Sequence, residues 1–116
     1  LCAISKYNIQ LGIDVEEIKN IDIKGFNNVF HHNEFNGITQ TNSNDLFYKY
    51  WTRKEAYTKA IGSGITIPLD KIDTTKNMIS ESNNNYYLKS YKINKYYCSL
   101  AYTKKGSKVN WIEIKF

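Results

Sequence analysis

The chain has 116 residues, of which 41% are hydrophobic, 15% aromatic and 23% charged. This length fits a single domain, and the composition is that of an ordinary globular protein, which excludes wholesale disorder and a fibrous chain. Sixteen basic residues against 11 acidic ones give a net charge of +5, which predicts attraction to an anionic partner without identifying it.

Features that would direct the chain to a membrane or out of the cell are not found. No apolar run approaches the roughly 20 residues of a membrane-spanning helix, and the N-terminus lacks the pattern of a secretory signal. Two cysteines, Cys2 and Cys98, are too few for a disulfide framework, so we expect reduced core thiols. The sequence predicts a cytoplasmic protein with no membrane partner.

The N-terminal part predicts a β-hairpin. Residues 1–4 form a short apolar run, residues 5–8 form a polar turn, and apolar residues alternate with others over 9–15. Because the chain opens inside the first arm of this hairpin, we expect that a segment precedes Leu1 in a longer protein.

The middle of the chain predicts one long helix. Residues 23–35 predict no more than a weak helix or two short turns, and residues 37–42 read as a polar loop. From 44 to 61 a helix is predicted, capped by Ser43 and ended by Gly62. The apolar face of this helix carries Leu46, Phe47, Tyr50, Trp51, Tyr57 and Ile61.

The C-terminal part predicts mainly strands. An extended segment at 65–69 and a weak strand at 78–79 precede strong strands at 86–93 and 96–103, which Asn94-Lys95 joins in a tight hairpin. A last short strand is predicted at 111–116. Residues 1–116 therefore predict a single α+β domain, an antiparallel sheet packed on one long helix plus short helical turns.

The first candidate for chemistry is a pair of carboxylates on the predicted second arm. Asp14 and Glu16 project from one face of the strand, and Ile13 and Val15 project from the other. Two carboxylates about 6.5–7 Å apart along a strand can converge on one hard cation through their oxygens. A solvated strand end is an alternative explanation of the same spacing, and Glu17 adds an acidic residue whose direction is open.

The second candidate lies on the long helix. Trp51, Glu55 and Lys59 are four residues apart and share one stripe of the helix surface. An exposed Glu55–Lys59 pair of little energetic value is one alternative. In the other alternative, Lys54 and Lys59 flank a common anion, because both are point charges suited to phosphate. Trp51 is expected to pack the helix.

The two candidates together describe a site for pyrophosphate. If Asp14, Glu16 and Glu55 meet, they form an oxygen-rich Mg²⁺ site with positions left for phosphate oxygens. Lys54 and Lys59 would neutralise the charge that the metal does not.

Two segments resemble the signature motifs of the 4′-phosphopantetheinyl transferases of the surfactin-synthetase-activating (Sfp) type. They are Gly12-Ile13-Asp14-Val15-Glu16 and Trp51-Thr52-Arg53-Lys54-Glu55-Ala56-Tyr57-Thr58-Lys59-Ala60. Similarity to the family continues at Phe30 with Glu34, at residues 62–70 and at residues 87–91. It covers nearly the whole chain, and the joint spacing of the two motifs is more specific than either motif alone.

The resemblance implies an activity. It is the transfer of phosphopantetheine from coenzyme A to a serine of an apo acyl or peptidyl carrier protein, with release of 3′,5′-ADP. By similarity, Glu55 and Lys59 are the catalytic residues, and Glu55 is a candidate to deprotonate the serine directly or through a water molecule. The implied metal ligands are Asp14, Glu16 and Glu55, and the implied cofactor-binding residues are Lys54, Lys59 and Glu34, with the role of Glu34 left open.

The resemblance covers only part of the family's pattern. Transferases of this type have two similar halves with coenzyme A between them, and this chain resembles the C-terminal half. We therefore expect an N-terminal half or another subunit to complete the coenzyme A site, and the isolated half could be inactive. His31 and His32 match no family position and are interpreted as surface residues.

A smaller branch of the family is an alternative. Holo-acyl-carrier-protein synthases are close to this length and form trimers with sites between subunits. Their second carboxylate lies three residues after the aspartate, a place that Glu17 could fill. The hairpin arm before the motif and the C-terminal strands favour the longer type.

A different class of function is a nucleic-acid-binding module. Aromatic residues with basic neighbours can bind single strands, and such tyrosines alternate with lysines here: Tyr86, Tyr87, Tyr91, Tyr96, Tyr97 and Tyr102. Cross-strand aromatic pairs also stabilise sheets, and we favour that interpretation. No nucleic-acid partner is expected.

Overall fold

One antiparallel sheet with helices on one side forms the framework of the molecule. The computed structural model of the chain describes residues 10–62 and 67–103. The strands lie in the order β1-β4-β3-β2, so the first and last described strands are neighbours. The predicted α+β class is confirmed. In chain order the elements are β1 (Leu11–Glu17), a 3-10 turn (Ile23–Phe26), α1 (His32–Thr41), α2 (Asn44–Ile61), a second 3-10 turn (Leu69–Lys71), β2 (Met78–Glu81), β3 (Asn84–Ile93) and β4 (Tyr96–Tyr102).

Helix α2 has the predicted bounds because both of its ends are encoded locally. The Ser43 hydroxyl accepts a hydrogen bond from the Leu46 N–H at 3.1 Å. At the other end Gly62 adopts φ 88°, a conformation that favours glycine, and its N–H donates to the Thr58 carbonyl at 3.0 Å. Neither α2 nor any other helix in the described ranges is long and apolar enough to cross a bilayer.

Helix α1 differs from the sequence-based expectation. It occupies most of the segment 37–42 that was predicted to be a loop. Its start is unusual, because the His31 side chain accepts from the Asn33 N–H while Glu34 accepts from the His31 N–H. Tertiary burial of Ile38 outweighs the weak helix propensity of the asparagine-rich sequence. His31 is half-buried as a helix cap and His32 is exposed.

The strands predicted at 78–79, 86–93 and 96–103 are confirmed, as is the predicted arm over 9–15 from residue 11 onward. Strands β3 and β4 form the predicted hairpin, with Asn94 at φ 54° in its turn. The predicted strands at 1–4 and 111–116 lie outside the described residues, as does part of the extended segment at 65–69. Leu69 begins a 3-10 turn and does not end a strand.

A close contact between α2 and the sheet determines the geometry of the domain. Gly12 on β1 pairs with Ala101 on β4, and both lie against Ala56 and Ala60 of α2. A Cβ atom on Gly12 would come within 2.6 Å of the Ala60 nitrogen and still closer to the Ala56 carbonyl oxygen. Only glycine allows the strand backbone to lie this close to the helix backbone.

A buried polar chain lies beside this contact. The hydroxyl groups of Thr52 and Ser99 are 2.7 Å apart, and those of Ser99 and Ser90 are 2.8 Å apart. Arg53 Nε donates to the Ser90 hydroxyl at 2.7 Å. Because an unpaired buried hydroxyl is costly, this row of hydrogen bonds favours one register of α2 over the sheet.

Several of the tyrosines pack within the protein. Tyr86 is buried and meets Tyr57 edge to face with ring centroids 5.2 Å apart. Tyr102 is buried beside Tyr87, whereas Tyr96 is exposed. The packing interpretation is confirmed for Tyr86 and Tyr102.

Cys98 is a buried free thiol, as expected for a core cysteine. Burial raises the pKa of this thiol to about 11, with a smaller contribution from the negative charge of Asp14. Cys98 is therefore protonated at neutral pH, and Cys2 lies outside the described residues.

The close contact at Gly12 predicts that one added methyl group there strongly destabilises the fold. Gly12→Ala should lower the free energy of unfolding by about 3 kcal/mol, because the added Cβ forces α2 and β1 apart. Gly25→Ala is the matched control, since a Cβ there meets no atom of the described residues within 4 Å, and its effect should stay within about 0.5 kcal/mol. Urea unfolding measures both values, and equal stability of the two variants would contradict the close approach.

Candidate active site

The centre of the candidate site is an ion pair between β1 and α2. Asp14 lies two residues after Gly12, on the strand face that packs against α2, and is 8% exposed. Lys59 Nζ donates to Asp14 Oδ1 at 2.9 Å and to the Ile13 carbonyl at 3.3 Å. The other oxygen, Asp14 Oδ2, is buried and has no hydrogen-bond partner among residues 10–62 and 67–103. This carboxylate is thus half satisfied by the protein.

Glu55 lies one helical turn before Lys59 and shares the electrostatic environment of this ion pair. Partial burial raises the pKa of Glu55, the charge of Asp14 raises it further, and Glu16 adds a smaller contribution in the same direction. Lys59 opposes these effects. The structure therefore brings Asp14, Glu16, Glu55 and Lys59 within electrostatic range of one another.

The oxygens of this cluster suit a hard cation, although they do not form a complete metal cage. Within residues 10–62 and 67–103, no three side chains of His, Cys, Asp or Glu converge as metal ligands. Mg²⁺ typically needs only one or two protein carboxylates, because waters and substrate phosphates complete its coordination. The unpartnered Oδ2 of Asp14 and the partly exposed Glu16 and Glu55 fit that pattern of donors.

Glu17 does not join the cluster. It is an odd number of residues from Asp14 and belongs to the opposite face of β1. Its Oε1 lies 3.7 Å from Lys95 Nζ at the surface. This placement does not favour the pattern in which the second carboxylate comes three residues after the aspartate.

Lys54 and Glu34 lie in the interior, which differs from the expectation that they contact cofactor. Both side chains are 0% exposed, and Lys54 Nζ lies 2.8 Å from Glu34 Oε1. Five positions correspond to about 140° around a helix, so Lys54 and Lys59 project in different directions. The structure supports neither a phosphate contact from Lys54 nor a cofactor contact from Glu34.

This buried pair holds the segment after α2. Lys54 Nζ donates to the Leu69 carbonyl at 2.6 Å and also to the Ile72 carbonyl. Glu34 Oε2 accepts from the Thr74 N–H at 2.8 Å and from its hydroxyl group. Burial lowers the pKa of Lys54 while Glu34 opposes that change, and the complete set of partners makes a buried ion pair tolerable.

Arg53 continues the attachment of the same segment. Its guanidinium donates to the carbonyls of Thr74 at 3.0 Å and Lys76 at 3.3 Å, and to Asn77 Oδ1 at 2.9 Å. Two adjacent basic residues of α2 therefore fix residues 69–77 from the inside. The sequence motif offered no signal for these contacts, because their partners are mostly backbone carbonyls.

Trp51 packs the helix, as expected. It belongs to the apolar cluster around Phe30 and Phe47, and its ring lies 6.5 Å from that of Phe30. This cluster joins α1 and α2 on the side where Glu34 is buried.

An α+β domain with carboxylates and an ammonium group at one helix–strand contact has the groups needed to bind phosphates beside a hard cation. The family model of the 4′-phosphopantetheinyl transferase superfamily matches residues 10–109. The chain belongs to this superfamily, and the resemblance noted in its motifs is confirmed.

Individual proteins support the same family. The chain is 41% identical over 80 residues to the 4′-phosphopantetheinyl transferase gsp of Aneurinibacillus migulanus, covering 66% of this chain and 33% of that protein. It is 26% identical over 103 residues to Sfp of Bacillus subtilis, covering 80% of this chain and 45% of that protein. The chain thus spans less than half the length of these two relatives.

A solved structure shares the fold. The crystal structure of Thermotoga maritima holo-[acyl-carrier-protein] synthase aligns with a TM-score of 0.61 and 15% identity, covering 83% of this chain and 63% of that one. At this identity the likeness concerns the fold alone.

The buried position of Lys54 predicts that loss of its charge destabilises the fold more than loss of the charge of a lysine in an exposed ion pair. Lys54→Met should cost about 3–5 kcal/mol of unfolding free energy, because it leaves the Glu34 carboxylate buried without its cation. The matched control Lys92→Met should cost no more than about 1 kcal/mol, since both partners of its pair with Asp45 are half-exposed. The double variant Glu34→Gln with Lys54→Met should recover part of the loss. Similar costs for both single lysine variants in urea unfolding would contradict this assignment.

Proposed function

We propose that this chain carries the metal-binding and phosphate-binding residues of a cytoplasmic 4′-phosphopantetheinyl transferase. The reaction moves the phosphopantetheine group from coenzyme A to a serine hydroxyl of an apo acyl or peptidyl carrier protein and releases 3′,5′-ADP. The observation that carries the proposal is the Asp14–Lys59 pair, with Glu55 and Glu16 in electrostatic range. Membership of the superfamily supports it.

The chemistry needs charge compensation more than a protein nucleophile. The serine oxygen forms a bond to the β-phosphorus of coenzyme A, and the bond from that phosphorus to the bridging oxygen breaks. Negative charge builds on the departing oxygen and on the non-bridging oxygens. A Mg²⁺ ion held by Asp14, Glu16 and Glu55 would supply the neutralising charge at the pyrophosphate.

Lys59 supplies a second positive charge. Its side chain is 53% exposed, so its ammonium group is accessible to a phosphate oxygen beside the carboxylates. An ammonium group is a compact point charge that suits phosphate. Electrostatic stabilisation of this kind lowers the barrier without a covalent intermediate on the protein.

Glu55 is the group best suited to take the serine proton. Burial and the neighbouring carboxylates raise the pKa of Glu55 in the absence of a metal ion, and a bound Mg²⁺ would oppose that rise. A base of this kind acts over roughly 2.6–3.2 Å or through one water molecule. The carboxylate would receive the proton as the serine oxygen attacks.

The longer relatives and the net charge of the chain each support one kind of protein partner. The longer relatives support a coenzyme A site completed by an N-terminal half or by another subunit. The net charge of +5 favours approach of an acidic carrier protein.

The proposal predicts that replacing the Glu55 carboxylate by a carboxamide strongly reduces the labelling of a carrier protein. Glu55→Gln should reduce the labelling of an apo carrier protein by a fluorescent coenzyme A by about 100-fold or more, because it removes a metal oxygen and a proton acceptor while keeping the side-chain size. Labelling is measured with Mg²⁺ and, as a reference, with excess EDTA.

Glu81→Gln on β2 is the matched control and should label like the wild type, and circular dichroism should show the same fold for both variants. Retained labelling by Glu55→Gln would contradict its role. A wild-type chain that labels no member of a panel of acyl and peptidyl carrier proteins, both alone and when joined to an N-terminal half of a longer relative, would contradict the proposed activity.

A further inference from the structure

The two oxygens of the Asp14 carboxylate have different surroundings. Oδ1 accepts a hydrogen bond from Lys59 Nζ at 2.9 Å. Oδ2 is buried and has no hydrogen-bond partner in the part of the chain that the structure describes, and more than nine-tenths of Asp14 is shielded from solvent. A buried carboxylate oxygen with no donor points to a missing cationic partner, because leaving such an oxygen unpaired is costly.

Lys59 is loosely held at this carboxylate. More than half of its side chain is exposed, and its second contact is a 3.3 Å hydrogen bond to the Ile13 carbonyl. Lys54 is the internal contrast, since it is fully buried with three partners. Because the ammonium end of the pair is exposed while Asp14 is buried, Lys59 can leave Asp14 when another cation takes its place at the carboxylate.

A cation on Asp14 and the Lys59 ammonium oppose each other. Both are positive, and both would be attracted to the same carboxylate. Lys59 contacts Asp14, and the charges of Asp14, Glu16 and Lys59 all act on Glu55, so a divalent ion on Asp14 would neutralise negative charge that one ammonium group leaves uncompensated. With that ion in place, the ammonium is repelled from Asp14 and attracted to any anion beside it.

We propose that Lys59 competes with the divalent cation for Asp14 and thereby makes the binding of the cation and of the pyrophosphate of coenzyme A mutually dependent. Without the anion, Lys59 lowers the affinity for the cation. With the anion, Lys59 moves to the phosphates and the competition ends. By thermodynamic linkage, the cation raises the affinity for the anion by the same factor. This inference rests on the proposed function for the identity of the anion.

The first test is titration calorimetry of the 116-residue chain with Mg²⁺ alone. Lys59→Met should bind Mg²⁺ about fivefold or more tightly than the wild type, because the competing charge is gone and the apolar stem remains. Lys71→Met removes the same charge from an exposed lysine on the 69–71 turn and should leave the affinity unchanged. Asp14→Asn should abolish the binding of Mg²⁺ alone.

The second test adds saturating coenzyme A. In the wild type coenzyme A should raise the affinity for Mg²⁺, and in Lys59→Met this increase should shrink about fivefold or more. The ammonium signal of ¹⁵N-labelled Lys59 should shift when Mg²⁺ is added to the wild type and should not shift in Asp14→Asn. Circular dichroism should show that all variants are folded.

The outcomes separate this inference from the proposed function. An unchanged or weaker Mg²⁺ affinity in Lys59→Met would overturn the competition, and a weaker one would show that Lys59 orients Asp14 for the cation. The titration with Mg²⁺ alone needs neither coenzyme A nor a carrier protein. A chain that labels no carrier but shows tighter Mg²⁺ binding in Lys59→Met therefore loses the proposed function and keeps the competition.

Discussion

The contact between the backbones of β1 and α2 is the constraint on which the rest of the molecule depends. Gly12 lets the strand lie directly on the helix at Ala56 and Ala60. Because side chains on a strand face recur every second residue, the next position on that face is Asp14. The helix presents Lys59 at the same level, so the ion pair is a direct consequence of the missing side chain at residue 12.

A second set of interactions supports α2 from behind. Glu34, Lys54 and Arg53 form a buried network that attaches the first turn of α1 and residues 69–77 to the helix. Charged groups at such depth are costly unless every partner is present, which makes this arrangement specific to one geometry. The motif Lys54-Glu55 thus combines an inward residue that fixes the framework with an adjacent residue that faces the carboxylates of β1.

Whether a feature could be predicted from the sequence depends on how far apart in the chain the interacting residues lie. Helix α2 was predicted with its bounds because Ser43 and Gly62 act locally. Helix α1 was predicted only as a weak helix or turn that ends at residue 35, because its stability comes from burial of Ile38 and from contacts with distant residues. Lys54 is buried and Lys59 is exposed because of where residues 69–77 lie. The spacing of the two lysines within the helix does not reveal that position.

The acidic residues that face one another come from segments far apart in the chain. Asp14 and Glu55 approach only when β1 has docked on α2, so the cluster belongs to the native state and has no counterpart in an unfolded chain. Any ligand that binds this cluster therefore selects the folded form and stabilises it by mass action. For so small a domain, the concentration of such a ligand becomes a determinant of how much of the protein survives proteolysis.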